Sequence, residues 1–164
     1  MYKGWNGMKK SLTLTFIIAL TALLTSCNSD ATQNSGMSLI QKSDPDPIIL
    51  DEKTENDQKK VTSIKKDVAK FEELYDVAVI KGEEEILVAY KVKHMQRFLM
   101  VKIEGEINKM LEEKYPKENF IVSSDYKIFL EAVELNDKMK NPDFSEKDAK
   151  KKLEEIIKLK KELT

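Results

Sequence analysis

From Val61 onward, apolar positions fall into alternating helical and strand-like runs. Val61, Ile64, Val68, Phe71 and Tyr75 recur at three- and four-residue steps, which is one stripe of a helix. "YDVAVI" then switches to a two-residue rhythm, with Val77 and Val79 offset from Ala78 and Ile80. "KGEEE" supplies a turn at Gly82, and "ILVAYKV" alternates again, placing Ile86, Val88, Tyr90 and Val92 on one face. The two runs predict a hairpin. Leu99, Ile103, Ile107 and Met110 return to helical spacing until Pro116 stops them, and "NFIVS" reads as a short strand. Ser124 and Asp125 are cap residues for a helix striped by Phe129, Ala132, Val133 and Asn136, which Asn141-Pro142 breaks. A last helix opens at Ser145, with Asp148 three residues on, and its apolar stripe is Ala149, Leu153, Ile156, Ile157 and Leu163. Its Glu146–Lys150, Asp148–Lys152 and Glu154–Lys158 spacings predict ion pairs along the helix.

The pattern predicts an α+β fold: an αββαβα domain over 61–140 and a charged C-terminal helix over 141–164. The expected sheet is three-stranded and mixed, with helices on one face. The strand–helix–strand crossover makes its third strand parallel to the second. Before Val61 the pattern is lost. "NSDATQNSGMS" is small and polar, "SDPDP" breaks regular structure, and "DEKTENDQKK" is charged without apolar rhythm. Residues 27–60 therefore read as a lipidated cysteine and a flexible, disordered polar tether. Its apolar island, Ile48-Ile49-Leu50, reads as a loosely packed loop, with a docking segment as the alternative.

The front end carries a different signal. Lys9 and Lys10 precede a 13-residue uncharged stretch, Leu12 to Leu24. At about 1.5 Å per residue it falls short of a hydrocarbon core of about 30 Å. Its length and basic flank fit a signal-peptide core, so residues 1–26 are expected to be a leader. Met8 is an alternative start to Met1, since "MKK" is itself a sufficient basic region. The leader ends in Leu24-Thr25-Ser26-Cys27, which resembles the lipobox of bacterial lipoproteins. The resemblance implies that the Cys27 thiol takes a diacylglyceryl group, that cleavage follows Ser26, and that the new amino end is acylated. The competing reading is a lone cysteine in a discarded leader. Two acyl chains hold a protein stably on a bilayer, at about 0.8 kcal/mol per buried methylene. Cys27 is the only cysteine, so no disulfide within the chain is possible.

Charge narrows the partners. The net charge is −1, with 28 basic and 29 acidic residues and no basic surplus of the kind nucleic acids require. Loss of Lys3, Lys9 and Lys10 with the leader takes the basic count from 28 to 25 against 29, a net of −4. A mildly acidic body gains no help overall from anionic headgroups, so the expected partner is the membrane through the diacylglyceryl anchor. No nucleic acid and no cofactor is expected.

A lipobox, a polar tether and an αββαβα domain in this order resemble the YhcN/YlaJ family of sporulation lipoproteins from endospore-forming bacteria. "KYPKENFIVSSDYKIFLEAVELNDKMK" is similar to that family's P-x-x-x-x-V-x-V-S-x-D strand and following helix. Pro116, Ile121, Ser123, Ser124 and Asp125 stand near those positions. "YDVAVIKGEEEILVAYKV" resembles the family's hairpin. The chain departs by lacking a glycine-rich segment before the hairpin and by its Lys/Glu tail from Phe144. The resemblance implies a non-enzymatic lipoprotein on the outer face of the cytoplasmic membrane or the spore membrane. It would support spore formation, germination or outgrowth, with protein partners in the spore envelope. The same element order in BON domains suggests a second reading by analogy, a module that binds phospholipid or peptidoglycan through its sheet face or Lys-rich tail.

Little in the sequence offers catalysis. His94 is the single histidine, and a metal site needs several converging ligands. Glu83-Glu84-Glu85 fits a solvated turn better than a calcium loop. Ser123-Ser124-Asp125 fits helix capping better than a nucleophile, since no base or G-x-S-x-G elbow accompanies it. Gly36, Gly82 and Gly105 are too scattered for a phosphate loop. Gly105 suggests either close helix approach or a tolerated surface site. Lys150-Lys151-Lys152 and Lys160-Lys161 suggest a membrane-surface helix, but the interleaved Glu154, Glu155 and Glu162 favour a packed one. Neither catalytic nor metal-binding residues are assigned. An enzyme would need a cleft of converging Asp or Glu side chains that spacing does not reveal.

Overall fold

The computed structural model describes residues 42–51 and 54–163. In chain order these form β1 (Ile48–Ile49), α1 (Glu55–Val68), β2 (Leu74–Lys81), β3 (Ile86–Val92), a 3-10 helix (His94–Leu99), α2 (Met100–Lys114), β4 (Phe120–Ser123), α3 (Tyr126–Lys138) and α4 (Glu146–Glu162). The class is α+β. The expected leader, the expected lipobox Leu24-Thr25-Ser26-Cys27 and residues 28–41 lie outside the described residues.

The sheet has four strands in the order β1-β2-β3-β4. β2 and β3 form the antiparallel hairpin, and β4 runs parallel to β3, with Leu87 opposite Ile121 and Val88 opposite Val122. β1 runs parallel to β2, pairing Ile48 with Ile80. The first part of the fold is thus two β-α-β crossovers, β1-α1-β2 and β3-α2-β4, joined at the hairpin turn.

The strand β1 corrects the expected three-stranded sheet and the expected extent of the tether. Ile48-Ile49-Leu50 is neither a loose loop nor a docking segment. The Leu50 N–H donates to the Lys81 carbonyl at 2.9 Å, and Ile49 and Leu50 are 2% and 1% exposed. Each serves a different core, because successive strand residues point to opposite faces. The chain before β1 is fastened as well. Asp76, itself buried, accepts from the Ser43 N–H at 2.7 Å, the Ser43 hydroxyl at 2.8 Å and the Asp44 N–H at 3.2 Å. Asp44 takes a positive φ of 41°, a region an aspartate tolerates better than most residues. Its carboxylate accepts from Lys65 of α1 at 2.7 Å, and this bond holds the Asp44 carboxyl below its usual range. α1 itself starts before Val61, at Glu55, where the Thr54 hydroxyl accepts from the Asp57 N–H at 3.1 Å.

Helices cover both faces of the sheet, not one. On the first face α1 and α2 bring Val61, Ile64, Val68, Ile103, Ile107 and Leu111 onto Val77, Val79, Val88 and Tyr90. Asp67 of α1 ties the pair together, accepting from the Tyr115 hydroxyl at 2.9 Å and facing Lys114 at 3.1 Å. With Lys70 as the leading cause, these donors hold the Asp67 carboxyl down to about 2. Burial first, and Asp67 second, pushes the Tyr115 phenol up to about 12. On the second face α3 and α4 bring Ile128, Ala132, Leu135, Leu153 and Ile156 onto Ala78, Ile80, Leu87 and Ala89. α4 is therefore part of the domain rather than an appended tail. Both cores draw on residues between Ile48 and Leu159, so residues 28–164 contain the whole folding unit.

Local chemistry sets the connections. A Cβ at Gly82 would meet the Leu153 Cδ2 methyl at 2.9 Å and the Glu85 carbonyl at 3.3 Å, so glycine eases the close approach of α4 to the hairpin turn. Gly105 has open space around it and brings no neighbour close. Asp125 caps α3, accepting from Lys127 N–H at 2.7 Å, and Ser145 caps α4, accepting from Asp148 N–H at 3.1 Å. Of the expected pairs on α4, Lys150 meets Glu146 at 3.6 Å. Lys152 instead reaches Glu131 of α3 at 2.6 Å, and Lys158 faces Glu162 at 3.9 Å.

Candidate functional site

β3 ends at Val92, and the next residue is held by its N–H donating to the Glu73 carbonyl at 2.8 Å. The chain then enters the 3-10 helix, in which no residue is buried. Three residues per turn place positions i and i+3 one above the other. Met95 and Phe98 line up in this way, and Val101 continues the row into α2. These three apolar side chains are 76%, 80% and 90% exposed. Leu99, on the other side of the turn, packs on the first core. The row is therefore a ridge standing off the body.

Its surroundings are cationic. Lys93, His94 and Arg97 are exposed beside the ridge, and Arg97 is the chain's only arginine. No acidic residue occurs between Glu85 and Glu104, although acids slightly outnumber bases in the whole chain. Lys91 lies over the rings of Tyr75 and Tyr126, 4.8 and 5.6 Å from their centroids. Lys102 faces Glu106 at 3.5 Å on the next turn. Alongside the ridge opens a cleft of about 310 Å³ lined by Lys91, Arg97, Met100, Ser124, Asp125 and Tyr126. Its one carboxylate, Asp125, is engaged in capping α3.

At the same end of the sheet Glu104 of α2 accepts from the Ser124 N–H at 3.2 Å and the Ser124 hydroxyl at 2.9 Å. Lys160 of α4 reaches the other oxygen of Glu104 at 3.3 Å, so this group fastens α2, β4 and α4 together. Tyr90 lies in the first core with its hydroxyl buried and without a well-formed hydrogen bond. Burial first, and the Glu104 charge second, pushes its phenol far above the ordinary range, with Ser124 opposing. Because the hydroxyl is desolvated and poorly satisfied, Tyr90→Phe is expected to leave stability unchanged or raise it by up to about 1 kcal/mol. Urea unfolding measures this. A loss above about 1 kcal/mol would show that the hydroxyl has a partner after all.

The other residues singled out in the sequence are dispersed. His94 is an exposed residue of the 3-10 helix. Glu83 and Glu85 face Lys150 at 2.6 Å and Lys161 at 3.4 Å. Ser123 is buried and accepts from the Asp125 N–H at 3.2 Å. Among the described residues no group of three or more His, Cys, Asp or Glu is placed to hold a metal ion. No described helix is long and apolar enough to cross a membrane. Both faces of the described sheet are covered by helices. The lysines of α4 that reach Glu83, Glu85, Glu104 and Glu131 are spent on the domain itself.

The ridge was missed in the sequence because Leu99, Ile103 and Ile107 already supply a complete buried stripe. The surplus was visible: "MQRFLMV" holds more apolar residues than one stripe takes. Compared with family models, with curated proteins and with solved structures, the chain matches none of them.

Proposed function

We propose that the chain is a lipid-anchored, non-enzymatic binding module on the outer face of the cytoplasmic membrane. The observation that carries this reading is Leu24-Thr25-Ser26-Cys27 at the end of an uncharged 13-residue stretch behind Lys9 and Lys10. A thiol at that position is the acceptor for a diacylglyceryl group, and two or more acyl chains give stable anchoring. Described structure begins at Lys42. Covalent geometry, at no more than about 3.6 Å per residue, keeps that point within about 55 Å of Cys27. The domain would thus work close to the bilayer. The resemblance of its hairpin and its β4–α3 segment to YhcN/YlaJ lipoproteins supports a role in spore formation, germination or outgrowth, with protein partners in the spore envelope.

The anchor is tested by Cys27→Ala. Labelled palmitate should enter the wild-type protein and not the variant, and the variant should leave the membrane fraction. Mass spectrometry of the mature amino end should find an acylated Cys27. An unmodified thiol there, or a variant that remains acylated, would overturn the reading.

A further inference from the structure

We propose that the Met95–Phe98–Val101 ridge, with Lys93 and Arg97 at its rim, is a second membrane contact that inserts into an anionic phospholipid surface. The proposal adds a site to the membrane placement proposed above and depends on it for its physiological setting.

Three observations carry it. The side chains at the crest are among the most exposed large apolar groups of the described chain, and they stand in one row. Scattered apolar residues on a surface need no explanation, but a contiguous protruding row does. Next, the row is framed by cations within a segment that has no acid from Ile86 to Ile103. The mildly acidic net balance had argued against anionic headgroups, but charge acts locally, within a Debye length of about 8–10 Å. Glu73 sits next to Lys93 through the backbone bond to its carbonyl, while three other nearby acids are engaged. Glu106 faces Lys102, Asp125 caps α3, and Glu104 holds Ser124 and Lys160. Last, the geometry suits an interface rather than a groove-filling partner. The crest side chains are 76–90% exposed, and a cleft lined by Arg97 opens beside them, which places a guanidinium next to the apolar row for a headgroup phosphate. Apolar side chains at a tip with a basic rim bind by the two contributions known for interfacial segments, buried apolar area and attraction to anionic lipid.

The test uses residues 28–164 without the acyl group, which contain the whole folding unit. The protein is sedimented with phosphatidylglycerol–phosphatidylcholine vesicles and with pure phosphatidylcholine vesicles. Binding is expected to the anionic vesicles only, falling as salt rises. Phe98→Ser with Val101→Ser should lower partitioning at least about tenfold. Lys93→Ala and Arg97→Ala should each lower it about fivefold. Thermal melts of these variants should match the wild type, since none of the four residues is in either core. No binding to anionic vesicles, or equal binding by the Phe98/Val101 variant, overturns the proposal. So does a dimer in sedimentation equilibrium that the same double substitution dissolves, because the ridge would then serve a second copy. Failure here leaves Cys27 acylation standing. Conversely, an unacylated Cys27 with intact vesicle binding would remove the anchor and keep the ridge.

Discussion

A chain stopped after Lys140 is expected to lose its cooperative fold. The sequence pattern makes that truncation look safe, since Asn141-Pro142 breaks the chain and the following helix is rich in charge. Yet α4 buries Ala149, Leu153, Ile156 and Ile157 to between 0% and 8% exposure. Burying a Leu or Ile side chain contributes about 1.5–3 kcal/mol, so the three large ones supply roughly 5–9 kcal/mol. The whole stability of a domain is about 5–15 kcal/mol. The lost ion pairs to Glu83 and Glu131 are secondary, because partly exposed pairs contribute about 0–1 kcal/mol each. Removal would also uncover the side of α3 that packs on α4 and the part of the second core that α3 does not cover, an apolar surface that invites association. Near-ultraviolet circular dichroism should show no cooperative thermal transition, and a hydrophobic dye should bind at room temperature. A sharp melt within a few degrees of the full chain would show that α4 contributes little.

That error of boundary has a physical source, and so do the others. Helix and strand positions were legible because each apolar stripe keeps one period, as Val61-Ile64-Val68 and Ile86-Val88-Tyr90 do. The sheet's second covered face was also written in the chain, though in a weaker form. "VAVI" and "ILVAY" are apolar at every position, and such runs mark strands buried on both sides. Reading only one alternating set hid Ala78, Ile80, Leu87 and Ala89. β1 was hidden for another reason. A two-residue strand has no period, and it is specified by partners far away in sequence: Lys81, Asp76 and, through Asn136, the carbonyl of Asp46. Of the ion pairs expected on α4, Glu146–Lys150 forms, whereas Asp148–Lys152 gives way because a tertiary neighbour competes with the helical one. Lys152 finds Glu131 rather than Asp148.

The candidate site divides along the same line. The lipobox resemblance of Leu24-Thr25-Ser26-Cys27 is a local pattern and needs no fold to be noticed. The ridge is a residual, visible only once the buried stripe of α2 is known and its surplus apolar residues can be subtracted. Periodicity assigns side chains to a core by type and spacing. It gives no information about a side chain whose spacing fits a second stripe that nothing covers. Phe98 and Val101 are of that kind, as is the clustering of the chain's one arginine and one histidine beside them.

A chain beginning at Val61, where the apolar rhythm starts, is expected to melt at least about 15 °C below one beginning at Lys42. It lacks β1, and with it Ile49 and Leu50, whose burial contributes roughly 3–6 kcal/mol together. It also lacks the Thr54 cap of α1, a loss of about 1 kcal/mol. Asp76 loses Ser43 and Asp44 and keeps only its own neighbour, the Val77 N–H at 3.0 Å. Water reaching the uncovered carboxylate recovers part of that loss. At roughly 4 °C per kcal/mol, where the ranges for smaller and larger domains meet, the apolar loss alone amounts to about 12 °C or more. β2 would in addition lose its strand partner at Ile80 and Lys81, which lengthens the open edge of the sheet and favours aggregation. Asp76→Ala in the chain from Lys42 separates the causes. It should remove the polar fastening alone and give a smaller drop than the truncation. Equal melting temperatures for the chains from Lys42 and Val61 would mean that β1 rests on the domain without stabilising it, and that the folded unit does begin where the apolar stripe does.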